Sequence, residues 1–128
     1  MSFAYSERNY DEYYTDGLTV LRGLIPPTLL ADLRAQAEIA RELARSISGP
    51  SAQRLQPVYK FSELDHQPFR DFLNLDGLRT TVLNILGPEH TASDIMGILF
   101  EPRDNAWCTH WHRDSGLQCA WYRFRRVL

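Results

Sequence analysis

The sequence predicts an α+β fold with helices first and strands last. Three observations carry this. An amphipathic stripe runs between Pro26 and Gly49, two shorter helical stretches follow at 68–75 and 77–86, and alternating patterns occupy 92–101 and 107–114. The chain has 128 residues, enough for one domain with one core. At 44% hydrophobic and 23% charged residues it has the composition of a globular protein rather than a disordered one.

The elements follow in order. Ser6 is a plausible N-cap for a short helix to Thr15, with Tyr10, Tyr13 and Tyr14 on one face and Asp16-Gly17 as its break. Leu18 to Leu24 alternates and reads as a strand, with Leu18, Val20 and Leu24 on one side. Pro26 and Pro27 suit a helix's first turn, where a missing N–H costs little. Leu29, Leu33, Ala37, Ala40, Ala44 and Ile47 then form the apolar stripe that Gly49-Pro50 ends. Residues 51–57 read as a loop and Val58 to Phe61 as a short extended piece. Asp76 is the expected N-cap of the last helix, which Gly87-Pro88 terminates.

Charge and cysteine usage exclude several classes. The net charge of −2 gives no electrostatic footprint for nucleic acid. No apolar run approaches the ~18–20 residues that cross a bilayer, and the first residues show neither the basic nor the apolar region of a secretory signal. Cys108 and Cys119 are too few and too close for a disulfide scaffold. These observations predict a cytoplasmic protein with no nucleic-acid or membrane partner.

One cluster carries metal chemistry. In Cys108-Thr109-His110-Trp111-His112-Arg113-Asp114 the period of a strand would send Cys108, His110, His112 and Asp114 to one face. An imidazole and a carboxylate two residues apart can grip one cation. Two histidines and a carboxylate on one face of an octahedron are the ligand set of non-haem Fe(II) oxygenases. A zinc site drawing on Cys108, His110, His112, Asp114 or Cys119 is the rival reading, but alternate residues of a single strand do not easily wrap an ion tetrahedrally. No Ser-His-acid arrangement or glycine-rich phosphate loop is present. His66 and His90 sit in polar surroundings and read as solvated.

Three stretches give the sequence a family resemblance. They are Tyr14-Thr15-Asp16-Gly17-Leu18-Thr19-Val20-Leu21-Arg22-Gly23-Leu24-Ile25, Ile85-Leu86-Gly87-Pro88 with the following strand bearing Met96, and Trp111-His112-Arg113-Asp114. Together they resemble, in order and spacing, the phytanoyl-CoA dioxygenase-like Fe(II)/2-oxoglutarate oxygenases. The resemblance implies N-terminal helices packed on a double-stranded β-helix, a jelly-roll core. It implies Fe(II) with 2-oxoglutarate as co-substrate, and hydroxylation of a small molecule or an acyl-CoA. His112 matches the first metal histidine and Asp114 the metal carboxylate. Lys60 and Met96 fall where relatives contact 2-oxoglutarate. From the residues alone, Lys60 reads equally as a solvated lysine and Met96 as a core residue of an apolar strand.

The sequence also departs from that pattern. The family's second metal histidine and its 2-oxoglutarate arginine lie tens of residues beyond the His-x-Asp pair, and residues 115–128 contain no histidine. The strands still needed to close a jelly roll would take about 50–60 residues. The expectation is therefore one truncated domain over 1–128 whose barrel stays incomplete and whose exposed sheet edge favours self-association. Residues 117–128 form a divergent tail: Arg123, Arg125 and Arg126 put +3 there, leaving −5 on residues 1–114. The alternative reading is a catalytically inactive remnant that serves as an interaction module.

Overall fold

The structure, a computed structural model, describes residues 3–90 and 96–99. Helix α1 (Glu7–Asp16) starts where Ser6 leaves the extended region, and it ends at Gly17, whose φ of 78° is the left-handed conformation glycine adopts without strain. The Asn9 side chain is buried and hydrogen-bonded through both its oxygen and its nitrogen. Its Oδ1 accepts from the Ser6 backbone N–H at 3.1 Å, and its Nδ2 donates to Thr19 Oγ1 at 3.0 Å. The first of these is one half of the reciprocal bonding of a capping box.

Thr19 passes the chain of bonds on, its hydroxyl donating to Glu12 Oε2 at 2.8 Å while Arg8 Nε donates to Oε1 at 2.6 Å. The Thr19 hydroxyl first, and the Arg8 guanidinium second, hold the Glu12 carboxyl below the ordinary carboxylate range. A depressed folded-state pKa contributes stability that is present above the unfolded value and lost as pH falls through the folded one. The melting temperature is therefore expected to fall on acidification through that range, and Glu12→Gln should flatten this part of the profile. An unchanged slope in Glu12→Gln would show that the network does not act on folding.

Helix α2 (Pro27–Ser48) carries Pro27 at its first turn and stops at Gly49, whose N–H donates to Arg45 O at 2.8 Å. Its buried residues are Leu29, Ala40 and Ala44. The expected stripe holds except at Ile47, which is exposed because it lies a turn beyond the last core contact. The small Ala40 and Ala44 let the chain approach α2 closely. Strand β1 (Arg54–Leu55), a 3-10 turn at Val58–Lys60, and helix α3 (Gln67–Leu73) all follow from there. The core cluster is Ala40, Ala44, Leu55, Val58, Leu64 and Phe69. Helix α4 (Asp76–Leu86) packs on α1, where the Tyr14 hydroxyl donates to Ile85 O at 3.1 Å. Strand β2 (Ile98–Leu99) pairs antiparallel with β1, Arg54 opposite Leu99 and Leu55 opposite Ile98.

Several expectations change. Residues 18–24 form no strand among the described residues: Leu18 and Val20 stay 60% and 53% exposed, and the segment closes in a turn from Leu24 N–H to Leu21 O. Alternation sorts faces, but a strand needs a paired neighbour. Val58–Lys60 is helical rather than extended. Pro57 fixes φ at −78°, and its carbonyl accepts from Lys60 N–H at 3.3 Å. The cap of α4 is Leu75, with Asp76 as the first helical residue, where its charge still faces the positive end of the helix dipole. The expected strand at 92–101 is described only at 96–99, and that at 107–114 lies outside the described residues.

Candidate functional site

The two residues matched to co-substrate contact come from separate elements that the fold joins. Lys60 ends the 3-10 turn, and its side chain is exposed. Its amine makes no hydrogen bond or ion pair among the described residues. Met96 lies just before β2, half-buried against the core cluster. The Val58 N–H donates to Met96 O at 2.8 Å, which extends the β1–β2 pairing toward the turn. Val58 itself is 0% exposed. The turn that presents Lys60 is thus anchored both by a packed side chain and by a main-chain bond to the residue whose partnership the sequence proposes.

Gly97 sits opposite this junction. A Cβ built there would lie 3.0 Å from both Cβ and Cγ of Gln56. Gln56 Cβ is fixed to the backbone and can yield only if the strand moves. Gly97→Val is therefore expected to cost about 1–3 kcal/mol through overpacking. It should also weaken the bond between the Lys60 turn and Met96. Urea denaturation together with the exchange rate of the Val58 amide reads both effects, and an unchanged Val58 amide would show that the strands absorb the methyls without parting.

His66 was expected to be solvated. It is instead half-buried, with Nε2 2.8 Å from Phe61 O and its ring edge-on to Tyr59 at a centroid distance of 5.4 Å. His90 is exposed, as expected. Nothing in the sequence marks His66 out, because both contacts are made only when the chain folds back from the 3-10 turn to α3. The amino-terminal groove of about 460 Å³, lined among others by Arg8, Glu12, Asp16, Leu18 and Arg22, includes neither Lys60 nor Met96.

The proposed metal ligands His112 and Asp114, and their neighbours Cys108, His110 and Cys119, lie outside the described residues. Among the described residues no group of three or more His, Cys, Asp or Glu side chains could hold a metal ion. Nor, among them, is any helix long and apolar enough to cross a membrane. Compared with protein-family models, with curated proteins and with solved structures, the chain finds no significant match.

Proposed function

We propose that the chain contributes the co-substrate and metal-binding portion of a cytoplasmic Fe(II)/2-oxoglutarate-dependent oxygenase of the phytanoyl-CoA dioxygenase type. It would act on a small molecule or an acyl-CoA. The observation that carries this reading is the juxtaposition of Lys60 and Met96. They are far apart in sequence, and each matches a co-substrate position. The Val58 N–H donates to Met96 O at 2.8 Å, which ties the turn carrying Lys60 to the Met96 backbone. The donor chemistry fits: an exposed ammonium free of protein partners among the described residues suits a carboxylate. Met96, half-buried against the core cluster, would give the site an apolar side.

In this reading Lys60 holds and orients a carboxylate of 2-oxoglutarate, while His112 and Asp114 hold the iron through an imidazole nitrogen and a carboxylate oxygen. When bound, the iron and its co-substrate supply the oxygen activation needed to hydroxylate a C–H bond. The protein's share is to place the carboxylate and to keep the Lys60 turn from drifting. The β1–β2 pair is then the first part of a jelly-roll sheet against which α2 packs. Its free edge, with no further strand among the described residues, is the surface through which copies of the chain would associate.

The test is a titration of 2-oxoglutarate into the full chain, without oxygen and with Mn(II) in place of iron, followed by calorimetry. Saturable binding is expected. Lys60→Ala should weaken it by roughly 10–150-fold, the equivalent of about 1.5–3 kcal/mol for a hydrogen bond to a charged group. If 2-oxoglutarate does not bind, or Lys60→Ala binds it as well as the parent, the reading is wrong.

A further inference from the structure

We propose that His66 is the positioning residue for Lys60, the clasp that fixes the outgoing side of the turn that presents it. His66 touches both neighbours of the lysine. Its Nε2 lies 2.8 Å from the carbonyl of Phe61, and its ring stands at 82° to that of Tyr59. A carbonyl oxygen only accepts, so Nε2 carries the hydrogen in this bond. Tyr59 and Phe61 are themselves half-buried against the core cluster, so the clasp is anchored rather than floating.

The distances show why the turn needs it. The turn's own bonds, Lys60 N–H to Pro57 O and Phe61 N–H to Val58 O, are 3.3 and 3.2 Å long. These lie at or beyond the far end of the useful range for N–H···O bonds, and a single 3-10 turn has poor bond geometry to begin with. The two short bonds are those from outside, Val58 to Met96 on the incoming side and His66 to Phe61 on the outgoing side, both 2.8 Å. Lys60 sits between them. His66 is in turn held where α3 begins, its carbonyl accepting from Arg70 N–H at 3.2 Å. Helix α3 places Phe69 in the core. The position of the lysine is thereby linked through one imidazole to the packing of a helix.

The role in co-substrate binding rests on the function proposed above, whereas the positioning of Lys60 does not. The test keeps the two apart. Backbone amide relaxation of Lys60 and Phe61 is measured in the full-length parent, His66→Ala and His66→Gln, with the α2 amides as the control for folding. The expected result is an order parameter near the rigid value of ~0.85 in the parent and below ~0.6 in His66→Ala. His66→Gln, which keeps an amide donor, should recover part of the order. Lys60 is the sole lysine, so reductive methylation with ¹³C-formaldehyde gives one side-chain signal on which 2-oxoglutarate can be titrated. His66→Ala should weaken that titration about tenfold. Unchanged Lys60 and Phe61 order in His66→Ala would overturn the proposal. Lost order in His66→Ala, with no response of the parent to 2-oxoglutarate, would uphold the clasp and refute the co-substrate reading.

Discussion

Replacing Phe69 by alanine is expected to lower the stability of the fold by about 3–5 kcal/mol. Phe69 is 3% exposed and belongs to the core cluster with Ala40, Ala44, Leu55, Val58 and Leu64. Two members of that cluster are alanines on α2, and an alanine has no side chain to swing into the space a ring leaves. The cavity would therefore persist, which places the cost high in the range seen for such truncations. Against the ~5–15 kcal/mol that hold an ordinary domain together, this is a large fraction. The midpoint of urea unfolding should fall with its slope unchanged. Phe69→Leu, which keeps most of the volume, should recover about half of the loss. A midpoint that hardly moves in Phe69→Ala would mean that α3 contributes little to the core.

The consequences would reach the candidate site. His66 begins where α3 begins, so loosening the helix should slacken its hold on Phe61. Stability and site geometry are coupled here by sequence proximity: Phe69 lies one turn after His66, and the same short helix serves both. A variant that retained its midpoint but lost Lys60 order would separate the two, and His66→Ala is designed to do that.

How much of this was legible in the sequence depends on where each feature draws its energy. Helix α2 was legible because its stripe repeats over many turns and its ends carry their own chemistry, Pro27 at the start and Gly49-Pro50 at the finish. Helix α1 was legible from Ser6 and Gly17. Strand β1 was not, because two residues carry no periodicity and Arg54–Leu55 is made by its partner Ile98–Leu99. The 18–24 segment shows the converse: the pattern of a strand is present, but a single bond from Phe3 N–H to Gly23 O at 3.2 Å makes no strand ladder among the described residues. The turn at Val58–Lys60 follows Pro57, a local signal that the alternation of Val58, Tyr59 and Phe61 obscured. In the candidate site, Lys60 stood out as the sole lysine between two aromatic residues. His66 did not, since its value lies in two contacts across a fold in the chain and no local pattern encodes them.

Alanine at His112 or Asp114 is expected to remove divalent-metal binding from the full chain, a loss of more than the ~10–100-fold that outer-shell partners typically cost. The reason is ligand number. Only two ligands are assigned in this chain, so either substitution would remove half of the protein donors that hold the ion, and residues 115–128 contain no histidine. In the oxygenase reading Asp114 would supply the negative charge that compensates the cation, and His112 the softer donor that favours iron over magnesium. Cys108 separates this reading from its zinc rival. A tetrahedral zinc site would use the thiolate, so Cys108→Ser would then cost as much as His112→Ala and the bound metal would be zinc. In the oxygenase reading Cys108→Ser changes little, and Mn(II) or Fe(II) competes successfully for the site. Mn(II) electron paramagnetic resonance across the three variants, with metal content measured on the parent, decides between them. Equal Mn(II) affinity in parent, His112→Ala and Asp114→Ala would remove both residues from the metal site, and with them the chemical basis for reading Lys60 as a co-substrate ligand.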